Sequence, residues 1–416
     1  MFTSLEKSIM EQKKVVLAFS GGLDTSVAIP FLKEKEGAEV ITVTLDVGGP
    51  VNPELLREKS LKYGAIKHYA IDAKEEFARE YVFQAIKANA LYEGKYPVIS
   101  SLSRPLIAKY LMEIAKKEGA NILAHACTGK GNDQVRLDVT IKALAGDIKD
   151  LKVVSPPRDF GLTREWEIDY GKQRGIEVVS KESPYSIDEN LFGRSIECGQ
   201  IEYPEKEPPT DAFEWTVPPE EAPGKPEYVT ITFEKGEPVA LNGERLSGSE
   251  LLTKLNEIAG AHGVGRIDHI EDRLVGIKSR EVYEAPAATV LIEAHHDLEK
   301  LVLTRHEVLF KPLIDAKWVE MVYNGLWVEP LMGSLNAFIN ETQKRVNGTV
   351  KVKLYKGSYI VVGRSSPNSL YSYDLATYNI DSSFDQAAAR GFIELWGLPS
   401  IVAAQVKEKQ EQERKK

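Results

Sequence analysis

Near the amino end, Ser20-Gly-Gly-Leu-Asp-Thr-Ser26 packs two glycines, three hydroxyls and a carboxylate into one short stretch. Glycine tolerates positive φ and lets a ligand come close to main-chain amides. A glycine turn that opens a helix aims several N–H groups at one point, which suits an anion. Ser20, Thr25 and Ser26 add hydroxyl donors, and Asp24, Thr25 and Ser26 also fit an N-cap and first helical turn. No lysine follows the glycines and GxxxxGK[ST] occurs nowhere, so this is not a Walker A loop. A plain capped turn explains Ser-Gly-Gly alone equally well; the full stretch is more specific. A second group, Thr128, Lys130, Asn132, Asp133 and Arg136, gathers donors, an acceptor and two cations around Gly129 and Gly131. Taken alone it also reads as a capped loop with solvated charges.

The elements that must position these residues are legible in the apolar pattern. Val15 to Phe19 is an apolar run of strand length, and Asp24 to Lys35 reads as a helix with Val27, Ile29, Phe31 and Leu32 apolar. Pro30 lacks an N–H and falls in the early turns or kinks that helix. Further strands are expected at Val40–Val47, His68–Ile71, Asn121–His125 and Lys152–Val154. Helices are expected at Pro53–Tyr63, Lys74–Ala90, Arg104–Glu118, Asp133–Leu144 and Thr163–Arg174. This alternation, running to about Val179, predicts a parallel, doubly wound α/β sheet with helices on both faces. Ligands in such sheets bind at the carboxyl ends of the strands, here Ser20, Asp46, Asp72 and Ala126. Both chemical stretches lie at such ends.

After Gly199 the pattern changes. Seven prolines between Tyr203 and Pro226 predict an extended connector that is not a packed element. Hairpins are expected around Lys235-Gly236 and Lys356-Gly357, with Asn242-Gly243 as a further tight turn. Helices are expected at Ser249–Ala259, Pro286–Leu303 and Leu313–Tyr323, so the second part reads as α+β. The tail ends in Lys, Glu and Gln, which suits a solvated helix. The expected division is 1–182, 183–380 and 381–416.

A net charge of −9 argues against a broad nucleic-acid surface. The two cysteines, Cys127 and Cys198, form no CxxC pair, which fits a reducing, cytoplasmic setting. No apolar run reaches membrane-spanning length, so no membrane partner is expected. Cys127 reads as a small buried filler, and the adjacent His295 and His296 diverge on any regular element, so no metal site is expected there.

The stretch from Ser20 to Ser26 resembles the PP-loop of enzymes that split ATP into AMP and pyrophosphate. Further stretches extend the resemblance: Ala90-Leu-Tyr-Glu-Gly-Lys-Tyr96, Ser101-Leu-Ser-Arg-Pro105, Thr128 to Arg136, Ser183 to Asn190, His262 to Asp268, Lys278-Ser-Arg280 and Tyr283-Glu-Ala-Pro286. Together, from Val15 to about Gly391, the chain resembles the argininosuccinate synthase family, ligases that join citrulline to aspartate with ATP. The resemblance implies a Rossmann-like PP-loop domain, a synthetase domain and a helical oligomerisation tail. It implies that Ala18, Phe19, Ser20, Gly21, Gly22, Leu23, Asp24, Thr25 and Ser26 hold ATP, with Leu45, Ala126 and Asp133. Citrulline would meet Tyr96, Ser101, Asn132, Arg136, Ser186, Ser195, Glu271 and Tyr283. Aspartate would meet Thr128, Asn132 and Asp133. ATP would arrive as a substrate with Mg²⁺, no organic cofactor would be needed, and the assembly would be a homotetramer. Two alternatives remain at this level. One is another PP-loop enzyme acting on tRNA or fed by glutamine ammonia, opposed by the acidic charge and the absence of a cysteine pair. The other is a nucleotide-binding regulatory module without turnover.

Overall fold

Alternate residues of one apolar strand feed two separate cores, and that is what makes the first domain a layered sheet. In the computed structural model, which describes residues 13–146, 148–177 and 184–415, β1 is Lys14–Ala18. Val15 and Leu17 pack into one core with Val27, Ile29 and Leu56, whereas Val16 packs into another with Leu111, Leu123 and Leu137. Burial on both faces is the signature of a parallel sheet. Beside β1 run β2 (Glu39–Asp46), β3 (Lys67–Asp72), β4 (Ile122–Ala124) and β5 (Lys152–Val154), all parallel, in the order β3-β2-β1-β4-β5. The helices α1 (Leu23–Glu36) and α2 (Pro53–Lys62) cover one face. The helices α3 (Ile99–Glu118) and α4 (Asp133–Ala143) cover the other. The helix α5 (Arg164–Gln173) lies against α1, with Phe31 edge-on to Trp166 and Tyr170. The chain leaves β1 toward β2 on one side and reaches β4 on the other, so the order reverses between β1 and β4. That is where such sheets open a ligand crevice.

The expected strands and helices of this domain are present within a few residues, with two differences. The helical run Lys74–Lys87 carries a π-helical stretch at Phe77–Val82. Helix α3 begins at Ile99, ahead of the expected Arg104, straight after Val98 at φ 49°. Pro105 therefore sits inside the helix and offers no N–H to the carbonyl of Ser101.

The second part is built on antiparallel strands. The strands β6 (Ser186–Asn190) and β7 (Gly193–Glu197) pair with β11 (Arg266–Asp272) and β12 (Lys278–Glu284) in the order β11-β12-β7-β6. A second sheet, β10-β9-β8-β13-β14, joins β8 (Glu227–Glu234), β9 (Glu237–Leu241), β10 (Glu244–Arg245), β13 (Gly348–Tyr355) and β14 (Ser358–Ser365). The expected hairpins at Lys235-Gly236 and Lys356-Gly357 are the β8–β9 and β13–β14 turns, and all four residues have positive φ. Helices α6 (Gly248–Ala261), α7 (Pro286–Val302), α8 (Arg305–Tyr323) and α9 (Pro330–Gln343) complete this part. Helix α8 starts well before the expected Leu313. A capping box between Thr304 and Glu307 starts it there, and Pro312 is carried inside.

The proline-rich connector is not the unpacked segment that its composition predicts. Thr216, Ala212 and Ala222 are buried. The Glu284 carboxylate accepts from the backbone N–H groups of Glu214 (3.0 Å), Trp215 (2.9 Å) and Thr216 (2.8 Å), and from Arg194 Nη1 at 2.5 Å. Apart from a 3-10 turn at Thr210–Ala212, prolines leave this segment largely irregular, and a buried charged pair docks it.

The chain divides into a compact unit ending at Asn368 and another beginning at Ser369. The second unit holds α10 (Ala388–Arg414), which buries none of its residues and stacks Phe392 on Trp396 at 5.4 Å. The expected boundary at 182/183, and Ser183 of the quoted motif, lie outside the described residues.

Candidate functional site

The loop after β1 is pinned on both sides. Phe19 N–H donates to Val43 O at 2.9 Å, and Thr44 Oγ1 donates to Phe19 O at 2.5 Å. Gly21 has φ +79°, and a Cβ there would lie 2.3 Å from Leu56 Cδ2, so only glycine fits. Gly22 caps α1; its N–H donates to Ser20 Oγ at 3.4 Å and its carbonyl accepts from Thr25 Oγ1 at 3.3 Å. Ala18 closes β1, Leu23 and Asp24 are half-buried, and Ser26 is buried in the first turns of α1. Half-buried Leu45 near the end of β2 and half-buried Ala126 after β4 lie to either side in the sheet. The buried Glu167 of α5 faces Asp24. Burial first, and then the Asp24 charge, push its carboxyl up to about 8.

After β4 the chain turns through 128–132 into α4. Gln134 Nε2 holds that turn by donating to Gly129 O at 2.7 Å and Gly131 O at 3.3 Å. Asp133 then stands between two guanidinium groups: Arg104 Nη2 reaches Oδ2 at 2.7 Å and Arg136 Nη1 reaches Oδ1 at 2.8 Å. Arg104 Nη2 also holds Asp188 of β6 at 2.7 Å, tying α3, α4 and the second domain together. Burial opposes ionisation of Asp133, but Arg104 and Arg136 outweigh it and hold the carboxyl far below the usual range. Arg136 Nε donates to Tyr323 O at 2.9 Å, while its Nη2 is buried with no hydrogen-bond partner.

The facing wall is acidic. Glu271 of β11 accepts from Tyr283 at 2.6 Å and from Tyr323 at 2.6 Å. Burial, then the Glu281 charge, raise its carboxyl to about 7 against the pull of both hydroxyls and Arg136. Arg273 Nη2 bridges Glu197 (2.5 Å) and Glu281 (3.0 Å). Tyr96 stacks on Tyr283 at 4.4 Å, and Ser100 Oγ lies 3.1 Å from Ser195 Oγ. Between the two walls is a cleft lined by Arg136 and Arg273 among the carboxylates Asp133, Asp188, Glu197, Glu271 and Glu281, so both signs of charge that a zwitterionic amino acid requires are present.

Family models match both halves of the chain. An "Arginosuccinate synthase N-terminal HUP domain" matches residues 14–177, and an "Arginosuccinate synthase C-terminal domain" matches residues 185–403. An argininosuccinate synthase from Pyrococcus furiosus is 60% identical over 390 residues, 94% of each chain. One from Oceanobacillus iheyensis is 56% identical over 95% of each chain. One from Listeria monocytogenes is 58% identical over 96% of this chain and 98% of its own. The chain belongs to the argininosuccinate synthase family.

Of the residues that the family resemblance assigns to citrulline, Tyr96, Asn132, Arg136, Ser186, Ser195 and Glu271 line one cleft. Tyr283 takes part through its hydroxyl on Glu271. Ser101 does not line this cleft: its Oγ is buried without a hydrogen-bond partner, and Ser100 stands on the wall. Among the aspartate residues, Asn132 and Asp133 line the cleft, while Thr128 is exposed outside it. Residue types alone missed Arg104, Asp188, Glu197, Arg273, Glu281 and Tyr323. Arg104 and Asp188 lay inside motifs already singled out; nothing in the sequence pointed to Tyr323. Cys127 is half-buried, and burial pushes its thiol up to about 12, far from a reactive thiolate. His295 is buried between Asn89 and Gln343. Among the described residues no helix is long and apolar enough to cross a membrane.

Proposed function

We propose that this ligase of the argininosuccinate synthase family joins citrulline to aspartate, in arginine biosynthesis, through a citrullyl-adenylate. The observation that carries the site assignment is Arg136 Nη2, a buried guanidinium nitrogen without a partner, across the cleft from Glu271. Such a nitrogen suits citrulline's α-carboxylate, and Glu271 suits its α-ammonium. Ser186 and Ser195 offer hydroxyls to the neutral remainder of the substrate.

In this reading the amides of Ser20 to Ser26 and the amino end of α1 hold the phosphates of ATP. The ureido oxygen attacks the α-phosphorus, an oxygen–phosphorus bond forms, and the bond to the departing pyrophosphate breaks. The amine of aspartate then attacks the ureido carbon, AMP leaves, and the amine gives up a proton. A ureido oxygen is a poor nucleophile, so alignment and stabilisation of the leaving group carry most of the rate. The loop has no lysine. The facing carboxyls of Asp24 and Glu167, with Glu167 Oε1 buried and lacking a donor, offer hard oxygens suited to the Mg²⁺ that accompanies ATP. That cation would supply charge compensation when bound.

The test is a stoichiometric one. Pyrophosphate release must require both citrulline and aspartate, and ¹⁸O from the citrulline ureido group must appear in AMP. ADP and orthophosphate as the primary products would refute the reading. The assembly is read as a cytoplasmic homotetramer. Supporting this, Phe392 (61%), Leu395 (73%) and Trp396 (67%) of α10 are largely exposed in the single chain, a surface that a second copy would cover. A monomer mass by light scattering would refute it.

A further inference from the structure

Tyr323, the last residue of α8, is buried and belongs to none of the groups assigned above, yet it touches three of them. Leu274 N–H donates to Asn132 Oδ1 at 2.9 Å, which turns the Asn132 amide nitrogen toward Tyr323. Asn132 Nδ2 donates to the Tyr323 hydroxyl at 3.0 Å. With that acceptor used, the single phenolic hydrogen goes to Glu271 Oε1 at 2.6 Å. The Tyr283 hydroxyl, shared with Glu281 Oε2 at 2.9 Å, covers the other Glu271 oxygen. The main-chain oxygen of Tyr323 takes Arg136 Nε at 2.9 Å, and its ring lies 4.8 Å below that guanidinium. On its other side the ring stacks on Tyr92 at 3.6 Å, with 4° between the planes.

We propose that Tyr323 is a positioning residue for citrulline: one side chain sets the aim of Asn132, Arg136 and Glu271 and keeps Glu271 a carboxylate. The proposal rests on the reading that these three groups contact citrulline. The Tyr323 hydrogen is committed to Glu271 and favours its ionised form, the form that accepts an ammonium, whereas the single Tyr283 hydrogen is shared between Glu271 and Glu281. The groups facing Glu271 are Glu281 and Tyr283 from β12, Tyr323 from α8, Arg136 from α4, and Tyr92 and Tyr96 from the loop before α3, with Glu197 and Arg273 on the same cleft. Burial and Glu281 oppose its charge, so losing the one hydroxyl committed to Glu271 moves the balance toward the neutral acid.

The variant Tyr323→Phe removes the hydroxyl and keeps the stacked ring. The citrulline KM at neutral pH should rise roughly 10- to 100-fold, the usual worth of a hydrogen bond to a charged group, with the ATP KM unchanged. The acid limb of kcat/KM for citrulline should also move to higher pH, because Glu271 then needs a more alkaline solution to ionise. The companion variant Glu271→Gln should raise the same KM and abolish that limb. An unmoved limb in Tyr323→Phe, or an equal loss for every substrate alongside a lowered Tm, would overturn the positioning role. If Glu271→Gln left citrulline affinity intact, the assignment of the cleft would fall, and the proposal with it.

Discussion

Asp133→Asn tests the centre of the site, because one carboxylate there balances two guanidinium groups. The substitution keeps the shape and removes the charge. Arg104 would retain Asp188 at 2.7 Å, but Arg136 would keep only the main-chain oxygen of Tyr323 on Nε. Two hydrogen bonds to a charged acceptor are affected, each worth roughly 1.5–3 kcal/mol. The amide oxygen still accepts one of them in weaker form. The Asp133 side chain is 26% exposed, so water recovers part of the remainder. The net loss of unfolding free energy is roughly 2–4 kcal/mol. Activity should fall further than stability implies, since the released Arg136 no longer holds a fixed direction toward the cleft. A fall of about a hundredfold in kcat/KM for citrulline corresponds to about 2.7 kcal/mol. Urea unfolding gives the first quantity, and coupled pyrophosphate release gives the second. A variant within about threefold of the parent enzyme in kcat/KM would refute the reasoning, because even one charged hydrogen bond is worth more than that.

Two further predictions follow from other parts of the site. Gly21→Ala meets both a positive φ and the Leu56 methyl, so it should cost roughly 1–3 kcal/mol and raise the ATP KM without altering the citrulline KM; Leu56→Ala in the same chain should recover part of the ATP affinity but not the φ strain. Asp138 is held down to about 2, where burial opposes the charge and the hydrogen bond from His125, with the charges of His125, Arg158 and Lys142, overcomes it. A depressed carboxyl stabilises the fold above its ordinary value of 3.8 and loses that contribution as pH falls toward 2. Asp138→Asn should therefore lower stability by about 2 kcal/mol at neutral pH, with the gap to the parent closing between those two values in acid unfolding.

The first domain was legible because its chemistry is local. Apolar strands bounded by polar turns give the sheet, and the candidate site residues of this domain follow the strands directly. Thus Ser20 to Ser26 and the turn into Asp133 stand at the strand ends where the sequence put them. The acidic wall was not legible. The strands β11 and β12 carry charge along both faces, Arg266-Ile-Asp-His-Ile-Glu-Asp272 against Lys278-Ser-Arg-Glu-Val-Tyr-Glu284, so the period-two apolar signal is erased by the groups that build the site. Helix α9 was also missed, and the start of α8 was misplaced by a proline that tertiary packing tolerates. Arg104 and Asp188 acquire a meaning only through Asp133, a partnership between three distant segments that no spacing rule encodes.

Just beyond α8, Gly325 brings its bare backbone against α4: a Cβ there would stand 2.7 Å from Arg136 Cα and 3.0 Å from its Cγ. The two domains thus meet closely here because a side chain is missing. A single methyl at this point would act as a wedge. It would lever the end of α8 off α4 and carry Tyr323 away from Arg136, Asn132 and Glu271 in one movement. With the cleft assigned to citrulline as proposed, the earliest sign of damage at Gly325 would be loosened citrulline binding in an enzyme that still grips ATP.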